Sequence, residues 1–413
     1  MPEVVVGRDE EDLRKYGATG TAVLGRHIVG SGEETHLTTP LYLDMLRPHV
    51  IVVTGKRGEG KSYTMSVIVE EMFKLPDDIR ENLCSLMIDT QGIFWTMKTP
   101  SEKDIQLLNE WKMKPRGFPV EVYVPEGQTK TFTDAGVDFD GAFSIQPSQL
   151  SVEEWLSVFN IDQNETLGIL LHKVMTRMRN KKQYSLDDII SAINSEKDFQ
   201  QNDKLALQNR FVAAKDWGVF GDEKMPDILV GGKTTVIDVS LTPQNVRSLL
   251  VALACKQVFN ERVKARRKEE LGEMELSAAK RVPMPWIFID EAHNFMPDVG
   301  RTVSLDILST LVREGRQPGI TLVFATQRPE KLHPDALAQA DMVIAHRLTA
   351  KADVDALKAI MQTYLLYDLG KYINELPKLK GVAIILDDNS ERIYRIRVRP
   401  KQSWHAGASP VAI

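Results

Sequence analysis

The stretch HVIVVTGKRGEGKS, residues 49–62, constrains the fold more than any other part of the chain. Residues 49–54, HVIVVT, with a branched apolar run at 50–53, read as a strand buried on both faces, and residues 61–75 carry apolar side chains at helical spacing until Pro76 stops them. Between the two, GKRGEGKS (55–62) satisfies G-x-x-x-x-G-K-[ST] in the strand, turn and helix setting that gives this motif meaning. Gly55, Lys56, Arg57, Gly58, Glu59 and Gly60 then form a turn whose N–H groups point at phosphate. Lys61 reaches the terminal phosphates, Ser62 offers an oxygen to magnesium, and Tyr63 opens the helix beside them. The positive end of the helix adds to the attraction. The expectation is a site for ATP and Mg2+.

Further along, apolar runs at 84–89, 119–124, 233–240, 285–290, 319–325 and 341–345 alternate with helical spacing at about 243–269 and 303–314. This pattern predicts an α/β fold with a mostly parallel sheet covered on both faces. Residues 150–232 read as a helical insertion, carried by VEEWLSVF, ETLGILLHKVMTRM, SLDDIISAI and KLALQNRFVAAKDWG. GVAIILDDNSERIYRIRV, 381–398, alternates around a polar turn and predicts a hairpin that extends one edge of the sheet. The expected organisation is a short β-rich segment (1–48), a core in two parts (49–149 and 233–400) around the insertion, and a tail (401–413).

The chemistry expected beyond phosphate binding comes from strand ends. WIFIDEAHNF, 286–295, places Asp290 at the carboxyl end of a buried strand near the magnesium and Glu291 one step on, where it orients and polarises water. LVFATQRP, 322–329, ends on Thr326 and Gln327, whose amide would sense γ-phosphate or the attacking water. MIDTQG, 87–92, brings Asp89 and Gln91 to the same edge, as auxiliary groups for water or metal or as a cap on the loop. His293 stands beside the acidic pair, in contact with the site or packing its loop. In STLVREGRQPG, 309–319, Arg313 and Arg316 are three apart. One of them would cross a subunit boundary to a neighbour's γ-phosphate, or both would serve local ion pairs with Glu314 or Asp306.

Composition excludes little of this. A formal charge of −5, from 52 basic and 57 acidic residues, is not that of a chain coated in positive charge, yet it leaves room for a locally basic channel. The only two cysteines, Cys84 and Cys255, lie in apolar surroundings, as reduced thiols of a cytoplasmic protein do. No cleavable signal pattern opens the chain, and no apolar run has the roughly 18 residues of an integral membrane segment.

The set GKRGEGKS, IFIDEAHNF, LVREGRQPG and FATQRP, in this order, resembles the HerA/FtsK branch of RecA-like motor ATPases, and is most similar to its HerA group. VRPKQSWHAG, 398–407, resembles the segment after that group's last strands, so the likeness spans about 49–407. It implies a RecA-like P-loop core and a homo-oligomer, a hexameric ring, around double-stranded DNA. The implied activity is that of an ATP-driven translocase or helicase working with a NurA-type nuclease at DNA ends. It assigns phosphate binding to Lys61 and Ser62, metal and water activation to Asp290 and Glu291, sensing to Gln327, and the trans arginine to Arg316, with Arg313 second. The family's N-terminal β-barrel is larger than the 48 residues present here, so GTAVLGRHIVGSG, 20–32, would supply strands of a reduced one.

A motor indifferent to base sequence grips phosphates. Lys98, Lys112, Lys114 and Arg116 in the 91–118 connection are candidates, whereas ERVKARRKEE, 261–270, reads as the exposed end of a helix. His49 and His172 read as structural, and Trp95, Trp155 and Trp286 as core or interface. The same core also suits a nucleotide-gated scaffold controlling an effector, a membrane-partnered transfer ATPase, or a strand-exchange recombinase.

Overall fold

The computed structural model describes residues 4–30, 36–275, 281–348, 351–360, 372, 373, 376, 377 and 379–407. Its strands are β1 (Val4–Val6), β2 (Thr21–Val29), β3 (His36–Asp44), β4 (Val50–Thr54), β5 (Leu83–Asp89), β6 (Glu121–Pro125) and β7 (Gly141–Phe143). After the helical insertion come β8 (Thr234–Asp238), β9 (Met284–Ile289), β10 (Thr321–Thr326), β11 (Met342–His346), β12 (Val382–Asp387) and β13 (Arg392–Val398). They form one sheet in the order β1-β3-β2-β13-β12-β11-β4-β10-β9-β5-β8-β6-β7.

From β11 to β7 every pairing is parallel. Parallel strands need crossovers, and the crossover helices cover both faces, which is why β4, β5, β8, β10 and β11 are buried at every residue. The α/β core with a mostly parallel sheet is as the sequence pattern predicts.

The predicted hairpin is present as β12 and β13, yet it does not end the sheet. β13 pairs antiparallel with β2, with Arg397 opposite Arg26 and Val398 opposite Gly25. A Cβ at Gly25 would come within 2.2 Å of the Arg397 carbonyl oxygen, so this close pairing requires a residue without one. Residues 1–48, expected to hold a reduced barrel, thus contribute β1, β2 and β3 to the common sheet, with the stretch 20–32 supplying β2. Residues 1–3 and 31–35 lie outside the described residues.

In the insertion, helices Val152–Phe159, Thr166–Met178, Leu186–Ser195 and Gln201–Lys215 form where the periodicity predicts them. Ser151 with Glu154 and Ser185 with Asp188 make reciprocal capping boxes that start two of them. Trp155 is fully buried, stacked on Phe159 and Phe220 and 4.9 Å from Phe211 between ring centroids, so it belongs to the core. Trp286 is likewise buried.

The tail begins as part of the core. Buried Glu70, on the helix Lys61–Met72, accepts from the Arg399 guanidinium (2.8 Å), Gln402 N–H (3.1 Å), Ser403 N–H (2.9 Å) and Ser403 Oγ (2.8 Å). Residues 399–403 therefore lie along the helix that carries the phosphate-loop lysine. Residues 408–413 lie outside the described residues.

Candidate active site at the carboxyl edge of the sheet

Because β4, β10 and β9 are parallel neighbours, the residues following them emerge side by side: Gly55 after β4, Gln327 after β10, and Asp290 and Glu291 after β9. The pattern predicts this clustering, but the strand order decides that Gln327 stands between the lysine and the acidic pair.

The helix Lys61–Met72 starts at Gly60 without any side-chain cap, so its first N–H groups are free for a ligand. Lys61 is buried, and its Nζ lies 3.5 Å from the Lys56 carbonyl oxygen. Burial lowers its pKa, against the pull of Glu291 and Asp290. Ser62 Oγ donates to Asp290 Oδ2 at 2.9 Å. No cluster of three or more His, Cys, Asp or Glu suited to a metal occurs among the described residues. A magnesium ion here would take Ser62 and Asp290 from the protein and its other oxygens from phosphate and water, which suits its preference for retained waters. The uncapped helix end and the Ser62–Asp290 pair fit both groups.

Glu291 adopts φ 50° and ψ 45°, a left-handed conformation that costs a residue with a side chain about 1–3 kcal/mol. Its Oε2 is buried without a hydrogen-bond partner, with His293 Nδ1 at 3.5 Å. Burial and then the Asp290 charge raise its pKa, offset in part by Lys61, Arg328 and a hydrogen bond from Gln327. A strained, partly dry carboxylate with one unengaged oxygen is suited to accept a proton from water. His293 Nδ1 lies 3.0 Å from Thr326 Oγ1, and burial lowers its pKa, so the ring is neutral.

Tyr63, Lys98 and Arg116 make contacts other than those expected of them, and Asp89 takes one of its two expected roles. Asp89 accepts four backbone N–H bonds, from Gln91 and Gly92 on Oδ1 and from Ile93 and Phe94 on Oδ2, at 2.7–3.0 Å. Both oxygens are therefore spent on shaping the loop, and of the two roles open to Asp89 the structure supports the cap. Burial and the neighbouring Asp238 raise its pKa to about 7. Asp89→Asn is expected to lower stability by about 2 kcal/mol or more by stranding buried N–H groups. Denaturant unfolding alongside kcat checks this, since loss of a catalytic acid would lower kcat at unchanged stability.

Tyr63 turns to the C-terminal segment instead of the loop: its hydroxyl accepts from Lys401 N–H, and its ring meets His405 edge-on at 5.4 Å. Lys98 pairs with Asp138 (3.2 Å) and Asp140 (2.8 Å), and Arg116 lies over the Phe118 ring, so neither side chain stands free as a phosphate contact. Lys56, Arg57 and Gly58 are exposed at the tip of the phosphate loop.

His346 is the site residue that pattern reading misses. At the end of β11 it receives Thr64 Oγ1 on Nε2 (2.9 Å) and donates from Nδ1 to the Val382 carbonyl (3.0 Å). Burial lowers its pKa to about 4, which keeps it neutral. A Cβ on Gly55 would come within 2.6 Å of His346 Cβ, so the ring supports the loop from beneath. The only hint in the sequence is a polar residue closing the apolar strand MVIAH.

Arg313 and Arg316 lie at the other edge of the sheet, since they precede β10 whereas the phosphate loop follows its parallel neighbour β4. The five residues of β4 separate the two edges by about 16 Å. Arg313 donates to the Ser309 carbonyl (3.2 Å) and is 4.0 Å from Asp335, while Arg316 is 3.4 Å from Asp341. Neither pairs with Glu314 or Asp306, the partners considered from sequence. The helix end at 261–270 also differs from expectation: Arg262 is buried and donates to the Pro318 and Val282 carbonyls at 2.8 and 2.7 Å. No helix among the described residues is long and apolar enough to cross a membrane.

Known proteins place this geometry in a lineage. In overall fold the chain is similar to VirB4 of Thermoanaerobacter pseudethanolicus, with a TM-score of 0.55, 12% identity, and coverage of 92% of this chain and 96% of that one. In sequence it is similar to the DNA double-strand break repair helicase HerA of Pyrococcus furiosus, at 30% identity over 149 residues, covering 32% of this chain and 27% of the relative. The protein of the same name from Sulfurisphaera tokodaii is 21% identical over 348 residues, covering 83% and 62% respectively. The chain thus spans less than two thirds of either relative's length. The family model described as Helicase HerA, central domain, matches residues 22–258, and that described as Helicase HerA-like C-terminal matches 272–403. These two matches take in both the phosphate loop and the acidic pair, and the chain belongs to the HerA helicase family.

Proposed function

We propose that this chain is an ATP-hydrolysing motor that assembles with copies of itself into a ring, a hexamer in our reading, and moves along or unwinds double-stranded DNA. The observation that carries it is the division of the chemistry between the two edges of the sheet. One edge holds the loop, Ser62 with Asp290, and a Glu291 carboxylate with a free oxygen; the other presents Arg316, too far from its own loop to serve it. A site completed by a neighbour's cation couples hydrolysis to the arrangement of subunits, which is what a ring motor requires.

In this reading Lys61 and the N–H groups of the loop bind the β- and γ-phosphates, Glu291 takes a proton from the attacking water, and Gln327 orients that water. Mg2+ held by Ser62 and Asp290 would neutralise phosphate charge. The names of the relatives, which are DNA double-strand break repair helicases, support a role at DNA ends; the NurA-like nuclease partner in this reading comes from the resemblance in the sequence motifs alone.

The test is steady-state ATP hydrolysis by protein of verified oligomeric size, with and without linear duplex DNA, against a Glu291→Gln control. A several-fold stimulation by DNA that the variant loses is expected. Robust hydrolysis indifferent to DNA would overturn the DNA motor in favour of an ATPase that acts on an effector protein.

A further inference from the structure

The loop that carries Arg316 is fastened independently of the Arg316 side chain, because buried Arg262 holds the Pro318 carbonyl. The side chain itself is half exposed and meets one carboxylate, Asp341 Oδ2 at 3.4 Å. Asp341 is rigidly placed: Oδ1 accepts the Val50 N–H (2.8 Å) and Oδ2 faces His49 Nδ1 (2.7 Å). On its other side the His49 ring faces Asp44 Oδ2 through Nε2 (3.3 Å), and Asp44 Oδ1 accepts from Arg8 Nε (2.7 Å). A ring with a carboxylate at each nitrogen is protonated at both. Burial opposes that charge, but Asp341 and Asp44 prevail and raise the pKa to about 9.

The result is a row of alternating charge, Arg8, Asp44, His49, Asp341, Arg316, buried except at its Arg316 end. The two ties on Asp341 Oδ2 differ in kind. His49 is close and buried, whereas Arg316 is distant and half in solvent. When the guanidinium leaves, His49 still neutralises Asp341, so no unpaired charge is stranded in the core. The same carboxylate restricts a long, mobile side chain to one side of the protein while it is docked.

We infer that Asp341, locked by His49, is a positioning residue for Arg316, holding its guanidinium at the subunit surface for the nucleotide of a neighbouring copy. This rests on the reading of Arg316 as the trans arginine.

A double-mutant cycle in the assembled protein tests it, with kcat and KM for ATP measured for Arg316→Ala, Asp341→Asn and the pair. Asp341→Asn is expected to lower kcat about 10- to 100-fold, the scale of a small misplacement of a reacting group, with KM unchanged. Added to Arg316→Ala it should cost nothing further. Losses that multiply in the double variant would make Asp341 a structural residue and overturn the inference while the trans reading stands. An Arg316→Ala protein with unaltered kcat would remove the trans reading itself, and the positioning role with it. Should Asp341→Asn fail to assemble, Asp341→Glu keeps the charge beside His49 and displaces the carboxylate by one methylene. It must then lower kcat in the wild-type background and not in Arg316→Ala.

Discussion

Glu291→Gln is expected to lower the rate of ATP hydrolysis about 100- to 10,000-fold, the range for loss of a general base, and to leave ATP binding intact. Glutamine fills the same space and keeps a carbonyl oxygen but cannot take a proton from water. The binding groups, Lys61 and the pair Ser62 and Asp290, are untouched by the change. The partly buried carboxylate has a raised pKa, so the wild-type rate should rise with pH through a range above that of an exposed glutamate, as the protonated, inactive form gives way to the ionised one. The variant should lack that limb. Steady-state rates across pH, with binding of a fluorescent ATP analogue, check both parts; turnover at the wild-type rate would remove Glu291 from its role.

Arg316→Ala is expected to lower kcat about 1,000- to 100,000-fold if its guanidinium stabilises charge on a neighbour's γ-phosphate. Mixing distinguishes this from any effect within one subunit. Arg316→Ala subunits retain Glu291, and Glu291→Gln subunits retain the arginine, so a mixed ring contains interfaces where the first supplies the loop and the second the cation. Hydrolysis should return in mixed assemblies to a level neither variant reaches alone. Verified mixed rings with no recovery would assign Arg316 to its own subunit's structure. The geometry favours recovery, since a five-residue strand separates Arg316 from its own loop.

Of the two roles the sequence leaves open to Asp89, its hydrogen bonds favour the cap, for an instructive reason. Asp89 ends a buried strand beside the site, as Asp290 does, and from sequence both qualify as chemical groups. The difference lies in the residues that follow: the chain after Asp89 turns so that four N–H groups converge on its oxygens, while Asp290 is left facing Ser62. Adjacency in sequence groups Tyr63 with the loop, but helical geometry rotates it about 100° from Ser62 and toward Lys401 and His405.

By itself the sequence determined the local and periodic features: the phosphate loop between strand and helix, the acidic pair, Gln327 at a strand end, the buried parallel strands and the helical insertion. These are short-range matters, since a loop of fixed spacing and a run of branched residues impose their conformations on nearest neighbours. Tertiary structure alone decided what depends on strand order and long-range pairing. It put β10 between β4 and β9, joined the N-terminal strands to β13, set His346 beneath Gly55, and sent Arg316 to the far edge against Asp341 and His49. His49 and Asp341 are 292 residues apart, and their hydrogen bond exists only because β4 and β11 pair in one register. No pattern in either segment announces the other, because the energy that unites them comes from burying two strands side by side.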